Sequence, residues 1–311
     1  MLFEKYVDVS SCSNYRIGGP ADFFYIARTV EDIEAAVQEA RGAKLSIFIL
    51  AGGTNILFSE KGVRGLVLKI ANDGIESLDG CRIKVGAGVL MKDLLGYIVA
   101  RGLSGLEWAG GLPGTVGGAI RGNAGAFGGE MKDRLVEVRS LDIAAEKPVI
   151  KKRQKSECEF DYRMSVFRRL ASGEIVLDAV FQMEERKPEL IEKDIQDKIK
   201  YREERHPLEY PNIGSIFKNI PYETFPEESK AEVSHIVKTD PFPVVPTAYL
   251  ISEAGLKGVS SGGAMISPKH PNFIVNYNHA TSEDVKALIR LAKDRVKEKY
   301  HVELREEIEY A

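Results

Sequence analysis

Between Gly111 and Gly125 the chain reads GLPGTVGGAIRGNAG, six glycines in fifteen residues. So many missing side chains weaken any regular helix or strand, and they restrict the fold to arrangements in which something approaches this backbone closely. A flexible linker would be Gly/Ser-rich and would lack an apolar rhythm. Here Leu112, Val116, Ala119 and Ile120 recur at packing intervals. Two readings remain: the glycines serve a packing turn, or they open backbone N–H groups to an anion or a flat ring. A second glycine-rich turn, AGGTN (51–55), follows the buried-strand candidate LSIFILA (45–51). Each turn adds short polar side chains to its backbone donors, Thr54 and Asn55 in one, Thr115 and Asn123 in the other. Two such turns suit the grip on a diphosphate and one edge of a ring, as in a large dinucleotide held by backbone.

The common nucleotide motifs do not account for them. GxxxxGK[ST] is absent. GAGVLM (86–91) begins like GxGxxG but carries Met91 at the last glycine position, and no acidic ribose partner is evident. GLSG (102–105) is not a GxSxG elbow, and the five histidines lack zinc spacing, so no metal site is expected. A formal net charge of −3 gives no support for nucleic acid as a partner. The acidic N-terminal stretch is not a signal peptide, and no segment has the length of a membrane-spanning helix. Cys12, Cys81 and Cys158, odd in number and far apart, point to reduced thiols that act as small hydrophobes.

Helices and strands alternate irregularly. Thr29 and Asp32 open a helix whose stripe is Ile33, Ala36, Val37 and Ala40. GLVLKI (65–70), CRIKVGAG (81–88), DRLVEVRSLDI (133–143) and EIVLDAVFQM (174–183) read as strands, and MKDLLGYIVARG (91–102) as a helix. After Met183 a charge-laced, solvated helix leads into a new domain. Thr281 and Asp284 cap a long helix, and VELREEIEY closes the chain as an alternating strand. This order lacks the regular alternation of a doubly wound sheet and gives an α+β class in several subdomains.

SNYRIGGPADF (13–23), AGGTNILF (51–58), GLSGLEWAGGLPGTVGGAIRGNAGAFGGE (102–130), YRMSVF (162–167), PNIGSIFKN (211–219), EAGLKG (253–258), HPNFIVN (270–276) and VELREE (302–307) occur in this order. Together they resemble the UDP-N-acetylenolpyruvoylglucosamine reductase (MurB) family, in its shorter subtype. The resemblance implies an FAD-binding fold of the vanillyl-alcohol-oxidase (PCMH) type in two subdomains, 1–74 and 75–187, with an α+β substrate-binding domain, 188–311. It also implies a cytoplasmic, monomeric enzyme that uses NADPH and FAD to reduce UDP-N-acetylglucosamine enolpyruvate to UDP-N-acetylmuramate, in peptidoglycan precursor synthesis. By motif, the catalytic residues fall on Arg163, Ser215 and Glu307, with Glu306 an alternative for the last. Gly52, Gly53, Thr54, Asn55, Gly114, Thr115, Gly117, Gly118 and Asn123 fall at the cofactor. Asn219 and Lys257 fall at the substrate diphosphate, with Tyr162 and Lys218 beside them, and His270 is a further candidate. Arg121-Gly122 and Ile220 depart from the family pattern.

On this reading a branched side chain at Gly53 or Gly117 displaces the cofactor and leaves the fold intact. Arg163 stabilises charge built beside the substrate carboxylate, and Ser215, helped by Lys218 or water, gives the proton. Two other readings stand beside it: another flavin oxidase or dehydrogenase of the same fold, and a non-catalytic sugar-nucleotide-binding module.

Overall fold

The computed structural model describes residues 3–169, 173–240 and 242–311; the first two residues of the N-terminal stretch and Pro241 lie outside them. It forms two compact units, each assembled from separate stretches of chain. The first contains Met1–Val7, Ala21–Gly52 and Val63–Arg202; the second contains Asp8–Pro20, Gly53–Gly62 and Glu203–Ala311.

The first unit holds a four-stranded sheet in the order Glu4–Asp8, Pro20–Ala27, Val63–Ile70, Ile47–Leu50. Val63–Ile70 runs parallel to both its neighbours, with Ala21 opposite Val63 and Ile47 opposite Leu66. Parallel neighbours need a crossover, and the helix Val30–Gly42 supplies one. Its capping box uses Thr29 and Asp32 as the sequence predicts, and Ile33, Ala36, Val37 and Ala40 are buried along one face. A second sheet, wholly antiparallel, runs Val149–Gln154, Leu135–Asp142, Glu174–Gln182, Arg82–Gly86, Ile75–Ser77. Its central strand buries Ile175, Val176, Leu177, Ala179 and Phe181, which explains the near-continuous apolar run there. The helix Met91–Arg101 packs Met91, Leu94, Leu95 and Ile98 into the same core and ends at Gly102 in the left-handed conformation. Burial pushes the Cys158 thiol up to about 11, so it is an inert packing group. The charged helix Pro188–Arg205 buries only Ile191 and Ile195 fully.

In the second unit the helix Ser282–Tyr300, capped by Thr281 and Asp284, buries the predicted stripe Val285, Leu288, Ile289, Ala292 and Val296. A small sheet of Ser260–Ser261, Ala264–Ile266 and Ile274–Asn276 shares that core. Tyr15 is fully buried there, its hydroxyl donating to Ile274 O at 2.7 Å. VELREEIEY keeps its predicted alternation, since Val302, Leu304 and Ile308 are buried. It is not one continuous strand, however. Only Glu309–Tyr310 joins a sheet, parallel to Ile56–Leu57, and a single bridge links Glu306 to Phe217. The partner over 216–218 is itself irregular, so no long ladder can form. Parallel and antiparallel sheets with separate helical layers agree with the predicted α+β class.

Candidate active site

The two glycine-rich turns share the first unit in part, and there they touch. A Cβ added at Gly52 would lie 2.7 Å from Gly114 Cα, and one at Gly118 would lie 3.3 Å from Ala51 Cβ. Gly114 has φ +100° and presents its N–H, like that of Thr115, to no acceptor among the described residues. The N–H of Gly52 is likewise without an acceptor there. The short helix Val116–Arg121 then begins, with Thr115 as its cap. Its first donors are already committed inside the protein: Val116 N–H to Val89 O at 2.9 Å, Gly117 N–H to Ala87 O at 2.9 Å and Gly118 N–H to Thr115 Oγ1 at 3.5 Å.

This corrects part of the sequence reading. Open backbone donors stand at Gly52, Gly114 and Thr115, whereas those of Gly117 and Gly118 are used inside the protein. Gly117 is glycine because a Cβ would sit 2.7 Å from Ala87 Cβ, a contact within the protein. Gly53 is also constrained from inside: φ is +64° and a Cβ would fall 1.8 Å from Cys12 O. Gly53→Val and Gly117→Val would therefore damage the fold itself, contrary to the expectation. Gly118 is exposed and faces only Ala51 Cβ and Thr115 Oγ1. Gly118→Val is expected to keep its melting temperature within a few degrees and to lose flavin absorbance. Gly117→Val, by overpacking at about 1–3 kcal/mol, is expected to melt several degrees lower. Differential scanning fluorimetry with flavin spectra checks both.

The rest of the first unit's set is gathered around Asn123, which is fully buried at φ +42°. Asn123 Nδ2 donates to Asp161 O at 3.0 Å, and its Oδ1 accepts from Lys132 N–H. Ser165 Oγ donates to Arg121 O at 2.7 Å. These bonds fasten the DYRMS turn to the end of the glycine-rich segment. In that turn Arg163 adopts φ +54°, a left-handed conformation costly for a long side chain, and its Nη2 donates to Gly125 O at 2.7 Å. The Tyr162 ring lies 5.3 Å from the Arg163 guanidinium.

In the second unit, Thr54 and Asn55 N–H groups, with that of Gly53, donate to no acceptor among the described residues. Asn55 is fixed by its other atoms: Nδ2 donates to Glu307 O at 3.0 Å and its carbonyl accepts from Glu309 N–H at 3.0 Å. Ser215 follows Gly214, whose φ of +84° makes a turn closed by Asn212 Oδ1. The GSIFKN and VELREE segments run side by side, with Lys218 N–H donating to Arg305 O and Glu307 N–H to Ile216 O at 2.9 and 2.8 Å. Ser215, Lys218 and Glu307 are thus brought onto adjoining backbone. The Ser215 hydroxyl has no hydrogen-bond partner among the described residues, unlike an ordinary turn serine. Glu306 is differently placed: it pairs with Lys293 and accepts from the Tyr310 hydroxyl.

Asn219 Oδ1 accepts from Thr247 N–H at 3.2 Å, at the start of the helix Thr247–Glu253. Lys257 is exposed on the turn between Gly255 and Gly258. His270 stacks edge-on against His206 and Phe273, and burial depresses its imidazole to about 4. It is neutral at physiological pH and supplies no charge to an anion.

Residues 21–147 match the FAD-binding domain family and residues 206–311 match the C-terminal domain of UDP-N-acetylenolpyruvoylglucosamine reductase. The reductase of Solibacter usitatus is 35% identical, over 97% of this chain and 94% of that protein. The chain belongs to the UDP-N-acetylenolpyruvoylglucosamine reductase family. The reductase of Syntrophomonas wolfei is 36% identical over 95% of this chain and 90% of its own. The crystal structure of the reductase of Thermus caldophilus superposes with a TM-score of 0.76 at 30% identity, covering 100% of this chain and 99% of that one. The chain is accordingly an FAD-containing oxidoreductase of this reductase family. The unpaired N–H groups at the glycine-rich turns fit that cofactor, since they are the donors an anionic diphosphate requires. No helix among the described residues is long and apolar enough to cross a membrane.

Proposed function

We propose that the chain reduces the enolpyruvyl ether of UDP-N-acetylglucosamine enolpyruvate to UDP-N-acetylmuramate, with NADPH as hydride donor, as a cytoplasmic monomer. Family membership supports the substrate, and the paired GSIFKN and VELREE segments carry the assignment of residues. FAD, when bound, supplies the hydride that adds to the β-carbon of the enolpyruvyl group. Gly52, Gly53, Thr54, Asn55, Gly114 and Thr115 would hold it through backbone N–H groups, with Gly117, Gly118 and Asn123 shaping the segment behind them. Residues 1–74 and 75–187 would form the cofactor part and 188–311 the substrate part, with 8–20 and 53–62 packed alongside the latter.

As hydride adds, charge builds at the α-carbon and spreads into the carboxylate. Arg163, a permanent cation with planar paired donors, holds that carboxylate. Ser215 delivers the proton to the α-carbon, and Glu307, in its protonated form, donates a hydrogen bond to the carboxylate from the neighbouring segment. Tyr162, Lys218, Asn219 and Lys257 face the sugar nucleotide, with Asn219 and Lys257 at its diphosphate and Lys257 supplying a cation.

Glu306 is used structurally, by Lys293 and Tyr310, and the spacing Val-Glu-Leu-x-x-Glu selects Glu307 as the acid. Glu307→Gln is expected to lower turnover by about 10²-fold or more with the fold intact. Glu306→Gln is expected to cost about 1 kcal/mol of stability and leave turnover near normal. Steady-state rates and thermal melts of the two variants decide the matter; the opposite pattern would move the role to Glu306.

A further inference from the structure

Arg202, the last residue of the first unit, has an arrangement that the functional reading does not use. Its Nε donates to Gly110 O at 2.8 Å, which fixes the guanidinium. Its Nη2 is buried and has no hydrogen-bond partner among the described residues. A buried, unpaired donor on a cation is costly. Burial, and after it the charge of Arg163, holds Arg202 below the usual arginine range.

Both guanidiniums are organised by one hairpin. Gly125–Ala126 pairs with Gly129–Glu130 around the tip Phe127-Gly128. Arg163 is anchored at its base, on Gly125 O. Arg202 lies over the ring at its tip, 5.3 Å from the Phe127 centroid, and Lys198, one helical turn earlier, lies over the same ring at 5.2 Å. Phe127 has φ +51° and Gly128 +80°, so the tip is a turn that favours Asn-Gly. A bulky aromatic in the left-handed region is strained, and it persists only where the surroundings hold it. Tyr201 meets its ring edge-on at 5.1 Å.

We propose that Arg202 is a second anion-binding guanidinium that shares the substrate carboxylate with Arg163 and so makes the site select the enolpyruvyl ether over the unmodified sugar nucleotide. Two guanidiniums tied to one hairpin, one of them with a buried, unused donor, are a poor arrangement without an anion and a good one around a carboxylate. The proposal rests on Arg163 holding that carboxylate, and the anion class admits a second source, a phosphate of the coenzyme.

The test is equilibrium binding to the oxidised holoenzyme without NADPH, so that no turnover occurs. Calorimetric titration with UDP-N-acetylglucosamine and with its enolpyruvyl ether gives the preference for the carboxylate-bearing ligand. In Arg202→Gln this preference is expected to fall by about 10- to 100-fold, the range for one hydrogen bond to a charged group. Affinity for UDP-N-acetylglucosamine, flavin content and NADPH affinity should stay unchanged. Arg202→Lys, which keeps charge without the planar donors, should recover only part of the preference. Phe127→Leu, which removes the ring beneath the guanidinium, should weaken it in the same direction. An unchanged preference overturns the proposal. So does an equal loss for both ligands, which marks a structural arginine, or a loss confined to NADPH, which assigns the anion to the coenzyme. Arg163→Lys in the same titration separates the two claims: if it leaves the preference intact, the reading of Arg163 fails first, and if it alone lowers it, only the role of Arg202 fails.

Discussion

Ser215→Ala is expected to fold, to bind FAD and to accept hydride from NADPH at close to the normal rate, while oxidation of the reduced enzyme by the enolpyruvyl substrate slows by about 10²–10⁴-fold. The proton is needed only after hydride has reached the β-carbon, so the loss belongs to one half-reaction. The hydroxyl is in place for this: Gly214 turns the chain sharply, and no group among the described residues occupies the Ser215 oxygen. Because that oxygen makes no structural bond, its removal should shift the melting temperature little. Ser215→Cys, still able to donate, should be less damaged than Ser215→Ala. Stopped-flow absorbance of the flavin follows the two halves separately. Equal losses in both would mark Ser215 as a structural residue, and no loss in the second would make another group the donor.

For Arg163→Lys the expected loss of turnover is of the order of 10²–10³-fold, comparable with removing one preorganised donor from developing charge. The charge survives but the planar pair of donors does not. Lysine also loses the bond to Gly125 O that aims the guanidinium at 2.7 Å, so the remaining charge is poorly placed. Flavin reduction by NADPH should be nearly unchanged, which separates this effect from damage to the cofactor. Unaltered turnover with the enolpyruvyl substrate would remove Arg163 from the chemistry. The left-handed backbone at Arg163 adds a prediction of the same sign: Arg163→Gly should relieve strain and melt no lower, yet be inactive.

Elements set by neighbours in sequence were legible before any coordinates. Thr29 with Asp32 and Thr281 with Asp284 form their capping boxes, and both helices bury the stripe that their spacing requires. What depends on distant partners was not. Nothing near Gly117 in the chain reveals Ala87, so a packing glycine and a cofactor-facing glycine look alike. The irregular segment across from 302–307 likewise hid the break in that strand, although its alternation survived. Arg202 lies inside a charged helix whose composition reads as solvated. Its signal was nevertheless present: Ile191, Ile195, Ile199 and Arg202 lie at intervals of four, four and three, which puts the arginine on the apolar stripe. A charged residue on a buried stripe is a stronger pointer than the charge content of the helix around it.

The bonds from Asn55 to Glu307 and Glu309 have a consequence for synthesis on the ribosome. Leu57 O accepts from Ala311 N–H, and Ala311 O accepts from Ser59 N–H, so residues 53–62 gain these partners only when 302–311 have been made. The second unit also draws on Asp8–Pro20, translated almost three hundred residues earlier. During elongation those early segments must wait without their C-terminal partners, at the long loop-closure distances that slow folding and expose a nascent chain to aggregation. The second unit therefore completes only once 302–311 have been made, and a chain lacking them would have an AGGTN turn without the partners that hold it still.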